Sequence, residues 1–401
     1  MSRVLLAWEL GQGLGHIDRM LMLARELRRR GHEVIFTLRD LARAHGRIAA
    51  EGFVVLQSPL WLAQMVNPPR LGNYSAVLAT AGWLDPEGLA GLLLGWRNLW
   101  AQLKPDLLIA DHAPTALLAA RGQVLPAWAV GNSFELPPTR GSFPPMEFWL
   151  EREQAQCAGY DALLLRHANR ALALLGDPPL ATLQDLFTPS RSAILSLPEL
   201  MHYEGYDAEM PVLGASYVGD RGLAPEWPGG AGSNVPRVFA YLQAKQADFV
   251  PVMTALKRLG WPSLVYAQGL APQAAERLAG PNLRFAAGPV QSDAALRDAD
   301  LSLNYGSVGM VSAAALAGKP QLALPIHTEQ QMSAQRLQRA GLGLALMPGA
   351  PAVDHAALLQ SLVADQRMLG RTRLLALQRQ DMRPKASGVR VVDLLEARGA
   401  L

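Results

Sequence analysis

The sequence holds a single cysteine, Cys157, in 401 residues. One thiol excludes an internal disulfide and builds no cysteine metal cluster. An excess of charge of one sign is also lacking. The formal net charge is +3, and no basic run exceeds Arg28-Arg29-Arg30. Those arginines fall in the last turn of an expected helix, where cations suit the dipole, so nothing argues for nucleic acid as a partner. Apolar runs of spanning character are missing as well. The uncharged stretch 301–318 contains Asn304, three serines and three glycines, which is no membrane span. Glu9 interrupts the amino-terminal apolar run before a secretory core can form. A cytoplasmic protein is expected, with peripheral membrane contact left open.

What is present is ordinary globular material. Half the residues are hydrophobic and 18% are charged, and the length allows two domains with separate cores. Arg3–Trp8 reads as a buried strand. It runs into the glycine loop Gly11-Gln12-Gly13-Leu14-Gly15, and His16 opens a helix whose Ile17, Met20, Leu21, Ala24 and Leu27 share one face. Glu33–Leu38 is the next strand, so the chain starts as a right-handed βαβ unit with a parallel sheet. The loop is Gly-x-Gly-x-Gly rather than Gly-x-Gly-x-x-Gly, and Arg39-Asp40 follows the second strand, which makes dinucleotide binding the minority reading. The other reading is that these glycines clear space for a bulky ligand over the strand end.

Residues 59–100 are rich in Trp, Gly and Leu with weak periodicity, and seven of the nine tryptophans lie in the first 150 residues. Trp61, Trp83, Trp96, Phe134, Phe143 and Trp149 cluster in irregular, proline-rich sequence. Aromatics of this kind fill cores more often than pockets, but an apolar cleft or partner surface stays open. Residues 105–111 and 124–130 read as strands, the first ending in Asp111. Residues 151–187 read as helical, 193–197 as a strand. The Gly- and Pro-rich stretch 205–236 marks a boundary, giving domains 1–225 and 226–401. A second βαβ series follows: strand 237–242, helix 249–259, strand 263–267, helix 271–279, strand 282–286. The tail after residue 353 is helical.

The series leads into 300–341, read as strand (301–303), glycine loop, small-residue helix, strand (321–325), loop and helix from Glu329. Glycines feeding a helix N-terminus present free N–H groups and partial positive charge, a combination that favours phosphate. Taken alone the loop is equally a structural turn. Glu329 and Gln330 add a carboxylate and an amide side by side, able to accept from and donate to vicinal hydroxyls. Glu329 also simply suits a helix start.

This stretch resembles the donor-binding signature of UDP-glycosyltransferase-type enzymes of the GT-B fold. Their pattern is His-Gly-Gly-x-Gly-Ser/Thr, Glu-Ala-Leu, Gly-x-Pro, then Pro-x-x-x-Asp-Gln-x-x-Asn-Ala. Anchored on Gly318-x-Pro320, Gly306 and Gly309 fall on family glycines, and Glu329, Gln330, Ser333 and Ala334 on Asp, Gln, Asn and Ala. Tyr305 stands in place of the phosphate-binding His, Ser307 of a Gly, Met310 of the Ser/Thr and Ala313 of the Glu. The amino-terminal Gly-His segment, with Leu-Ala-Arg-Glu-Leu and Gly-His-Glu-Val after it, resembles the same enzymes.

The resemblance implies an α/β chain of two facing doubly wound, Rossmann-like domains with a cleft between them, the last helix crossing back to the first domain. It implies transfer of a hexosyl-type sugar from a UDP- or TDP-sugar to an acceptor hydroxyl, with no metal and no cofactor beyond that co-substrate. His16 matches the general base and Asp111 its partner. Val290, Gln291, Tyr305, Gly306, Ser307, Val308, Gly309, Glu329 and Gln330 match the donor site. Gly13, Gly15, Trp83 and Phe134 are the expected contacts of a small-molecule or lipid-like acceptor. Two alternatives remain open at this stage: a nucleotide-sugar epimerase of the same architecture, and a binding protein with a decayed site.

Overall fold

The first strand, β1 (Arg3–Trp8), is buried at every position from Val4 onward, as a central parallel strand with both faces covered must be. It pairs in parallel with β2 (Glu33–Leu38), which in turn pairs with β3 (Val54–Gln57). On its other side come β4 (Leu107–Asp111), β5 (Ala127–Gly131) and β6 (Ser192–Ile194). The order is β3-β2-β1-β4-β5-β6. These elements come from a computed structural model, which describes residues 1–11, 13, 15–63, 72–150, 154–229 and 235–401.

A second sheet repeats the pattern. It contains β7 (Val238–Gln243), β8 (Ser263–Gln268), β9 (Leu283–Phe285), β10 (Leu301–Asn304), β11 (Gln321–Ala323) and β12 (Gly343–Ala345). All its pairs are parallel, in the order β12-β11-β10-β7-β8-β9. Each sheet therefore reverses direction of winding between its first and fourth strands, β1/β4 and β7/β10. That is the doubly wound α/β arrangement, and ligands of such sheets bind at the carboxyl ends of the strands at this switch point.

The chain divides into two compact units. One comprises Met1–Ser196, Met201–Ser216 and Pro384–Leu401; the other Leu197–Leu200 and Tyr217–Arg383. Residues 217–225, expected with the first domain, pack with the second unit. Leu223 bridges to Val290 there, donating its N–H to the Pro289 carbonyl at 2.8 Å and accepting from Gln291 N–H at 2.9 Å. The helix Pro384–Ala397 belongs to the first unit, where Val391, Val392 and Leu395 join the core of β1, β2 and the helix Gly15–Arg29.

Two expectations from sequence need correction, and one stretch left without an element gains one. The helical stretch 151–187 is the helix Gln154–Leu174, then a break, then one turn at Leu183–Phe187; residues 151–153 lie outside the described residues. Gly176, at φ +74°, and Pro178-Pro179 stop it, since proline removes the donor that the next turn needs. The strand expected to reach Pro325 ends at Ala323. The weakly periodic stretch before residue 100 holds an 18-residue helix, Pro86–Leu103, started by Asp85, whose carboxylate accepts from the Glu87 and Gly88 N–H groups.

Candidate functional site

At the β1/β4 switch point, Trp8 is in register with Asp111, the last residue of β4. The chain leaves β1 through Gly11 and enters the helix Gly15–Arg29. His16 and Arg19 are three residues apart on that helix, so they share a face, and both reach Asp111. His16 Nδ1 lies 2.7 Å from Asp111 Oδ1. Arg19 grips the same carboxylate twice, Nε to Oδ2 at 2.6 Å and Nη2 to Oδ1 at 2.5 Å. Arg19 Nη2 also donates to Glu135 at 2.8 and 2.7 Å. Glu135 is fixed in turn by the Asn132 N–H and side-chain amide, both at 2.9 Å. Gly131 at the end of β5 leaves room for that carboxylate, because a Cβ there would lie 2.2 Å from Glu135 Oε2.

The charges follow from this packing. Burial alone would raise Asp111, but the Arg19 guanidinium and then His16 hold it below the usual carboxylate range. Burial dominates at Glu135 and pushes it upward against the pull of Arg19. Asp111 is therefore held as an anion against His16. An ionised Asp111 accepts the proton of His16 Nδ1, which leaves the lone pair on Nε2. His112 directly follows Asp111. Burial, then the adjacent His16, depresses it well below the ordinary imidazole value, so it is neutral.

The His16 ring is stacked between Trp8 (centroids 5.1 Å apart, 20° between planes) and His112 (6.0 Å, 22°). Phe134 meets His112 edge-on at 6.2 Å, so this expected acceptor contact borders the histidines. Gly13 and Gly15 are exposed beside them; Gln12 and Leu14 of the same loop lie outside the described residues. Trp83 is a correction. It has no exposed surface, and its indole N–H donates to Thr115 Oγ1 at 3.1 Å. It packs the core and presents no face to an acceptor. Trp96 and Phe143 are fully buried as well.

His16, His112 and Glu135 offer ligand atoms within 4.8 Å of one another, a spacing a metal ion would accept. Arg19 argues against one. Its guanidinium already occupies the Glu135 oxygens, and a dication would sit against that buried positive charge.

In the second unit the glycine loop stands at the β7/β10 switch point. Gly306 has φ +79°, and a Cβ on it would lie 2.8 Å from the Gln330 carbonyl oxygen. The buried Asn304 side chain accepts from the Gly306 N–H at 2.8 Å and donates to Gln321, which donates to the Val311 carbonyl. The Gly306 N–H is thus committed within the fold, which corrects its expected place among the phosphate donors. Ser307 starts the helix Val308–Leu316 and accepts from the Met310 N–H at 3.4 Å. The N–H groups of Val308 and Gly309 precede the reach of the helix's own bonds. Tyr305 is hydrogen-bonded to Ser307, with burial the larger influence, raising its phenol. Its ring continues a line of tyrosines, 5.9 Å from Tyr241, which is 4.9 Å from Tyr266.

Gln330 is buried, and its side-chain oxygen accepts from the Ile326 N–H at 3.0 Å. Glu329 lies in the first turn of the helix Thr328–Arg339. Val290 is buried in the apolar cluster beneath the loop, so its side chain is not a surface for a ligand. The neighbouring Gln291 amide reaches the Gly222 carbonyl at 3.3 Å. Arg19, Glu135, His112 and Asn304 went unforeseen. Only Arg19 left a usable trace, its i+3 spacing from His16.

No family model matches the chain. A 130-residue segment is 32% identical to an uncharacterized glycosyltransferase of Methanosarcina acetivorans, covering 31% of each sequence. The match thus spans about a third of that relative's length. Over 93% of both sequences the chain is 25% identical to a zeaxanthin glucosyltransferase of Pseudescherichia vulneris. Among solved structures, the calicheamicin glycosyltransferase CalG4 superposes with a TM-score of 0.72 at 21% identity, covering 99% of this chain and 98% of that one. The spinosyn rhamnosyltransferase SpnG in complex with thymidine diphosphate gives 0.68 at 19%, covering 98% and 100%. In sequence and in architecture the chain resembles glycosyltransferases of the GT-B fold, the resemblance its own motifs carry.

Proposed function

We propose that this chain moves a sugar from a nucleoside-diphosphate sugar to an acceptor hydroxyl, with His16 as general base. The observation that carries this reading is the 2.7 Å contact of His16 Nδ1 with Asp111, which leaves Nε2 as the basic nitrogen. Nε2 takes the hydroxyl proton as the acceptor oxygen bonds to the anomeric carbon, and the bond to the diphosphate oxygen breaks. Asp111 stabilises the imidazolium formed. Ser307, Tyr305 and the first-turn N–H groups of Val308 and Gly309 take charge from the leaving diphosphate, with Glu329 toward the sugar hydroxyls and the buried Gln330 bracing the loop at Ile326. No step calls for a metal.

The thymidine diphosphate bound by SpnG supports a TDP- or UDP-sugar. The carotenoid glucosylated by the Pseudescherichia relative supports a small or lipid-like acceptor beside Phe134. A cytoplasmic setting belongs to the same proposal; among the described residues no helix is long and apolar enough to cross a membrane. The test is a thermal-shift panel of UDP-, TDP- and GDP-sugars against NAD, followed by nucleoside diphosphate release with zeaxanthin as acceptor. His16→Ala should lower release by ~100- to 10,000-fold with donor binding intact. Unchanged release from a folded His16→Ala protein would remove His16 from the mechanism. Donor consumed without any acceptor product would favour another reaction.

A further inference from the structure

His112 is used by nothing described so far, and its position is unusual in three ways. Its φ is +45°, a left-handed conformation that non-glycine residues adopt only under strain. It is 7% exposed, and its Nε2 is buried with no hydrogen-bond partner among the described residues. Its other nitrogen, Nδ1, lies beside Gly11, as His16 Nε2 does, and the φ of Gly11 is +84°. A Cβ built there would be 2.6 Å from His16 Nε2 and 3.3 Å from His112 Nδ1. With no side chain at Gly11, both rings close against its backbone, and the two nitrogens lie beside the same glycine.

Tautomer chemistry assigns the roles. A buried N–H without an acceptor is rarer than a buried acceptor without a donor, so the enclosed Nε2 of His112 carries the lone pair. Nδ1 then carries the proton and is a donor. His16 has the complementary arrangement, since Asp111 engages its Nδ1 and leaves Nε2 as an acceptor. One nitrogen that accepts and one that donates, both beside Gly11, suit a single hydroxyl oxygen bound between them.

We propose that His112 is a second catalytic residue: an acceptor oxygen held over Gly11 donates to His16 Nε2 and accepts from His112 Nδ1–H. This inference rests on the reading of His16 as the base. As the hydroxyl proton passes to His16, negative charge grows on the oxygen, and the His112 N–H stabilises it until the bond to the anomeric carbon forms. His112 neither gains nor loses a proton. Its left-handed backbone turns the ring toward His16, and the Leu10 N–H, donating to the His112 carbonyl at 2.9 Å, ties that turn to the glycine loop.

Two measurements decide it. In protein labelled with 15N-histidine, two-bond proton–nitrogen NMR should show His112 as the Nδ1–H tautomer at neutral pH. An Nε2–H tautomer, or an imidazolium, overturns the proposal whether or not turnover has been found. Kinetically, His112→Asn tolerates a left-handed backbone and places an amide N–H near Nδ1, whereas His112→Gln places it near Nε2. With TDP-glucose and zeaxanthin as probes, TDP release should fall on the order of 100-fold in His112→Gln and His112→Ala. The loss in His112→Asn should be less than about tenfold, with the dissociation constant for TDP unchanged in all three. Equal losses in the Asn and Gln variants, or parent-like release from His112→Ala, would overturn it. If His16→Ala also releases TDP like the parent, the reading of His16 as base fails, which separates that claim from the one about His112.

Discussion

At the scale of single residues, the first unit concentrates buried ionisable groups behind one histidine. Arg19 bridges Asp111 and Glu135, so two carboxylates and one guanidinium share a dry space. Removing any one member would strand the others. Glu9, at the end of β1, is a separate case. It is buried, and its Oε2 accepts from the Thr115 N–H at 2.9 Å. Burial moves it from an ordinary 4.5 up to about 7, only partly opposed by the Thr115 bonds. A raised carboxyl is a group that binds its proton more tightly when folded. Its stabilising contribution is therefore complete below about pH 4.5 and is lost as pH rises through about 7. The amount is on the order of 3 kcal/mol at ~1.4 kcal/mol per tenfold change in proton affinity. Glu9→Gln should accordingly flatten the fall in melting temperature between pH 5 and pH 8, and should melt above the parent at pH 8. Parallel pH profiles for the two proteins would show that Glu9 ionises freely in the fold.

At the scale of elements, each site is a turn between a strand and a helix, and its shape depends on what lies beneath it. The β10 loop shows this best. Gly306 must be glycine because its φ is positive and because the Gln330 carbonyl of the following helix comes within reach of a Cβ. Beneath it the Asn304–Gln321–Val311 relay fixes the loop to β11 and to the helix Val308–Leu316. Gly306→Ala should lower stability by about 2 kcal/mol, and calorimetry should show the melting temperature falling by roughly 4–8 °C. Affinity for the donor nucleotide should drop with it. An alanine variant with parent stability and parent affinity would mean that the loop adjusts without the glycine. The glycine spacing was readable from the chain. Asn304, a polar residue inside an apolar strand, was not, since its amide N–H finds an acceptor in Gln321 only once β11 lies beside it.

At the scale of the whole molecule, the chain makes two doubly wound units and then returns to the first with its final helix. That return depends on Gly388. A Cβ there would meet Met22 Cγ at 2.9 Å, and Arg30 pairs with Asp393 and Glu396 at 2.6 Å nearby. Gly388→Val should separate the helices Gly15–Arg29 and Pro384–Ala397 and destabilise the first unit by about 1–3 kcal/mol. A thermal melt at parent temperature would show that Met22 swings aside. The sequence by itself determined the alternation of strands and helices, the parallel sheets, and the two strand ends that carry His16 and Asp111, because apolar periodicity and glycine placement are local properties. Only the tertiary structure decided what surrounds those residues. Arg19 faces a carboxylate from β4 and another after β5, Trp83 is sealed in the core, and His112 is turned toward His16. Each of these depends on residues distant in the chain meeting in a space without water, where burial and pairing outweigh any preference a residue has on its own.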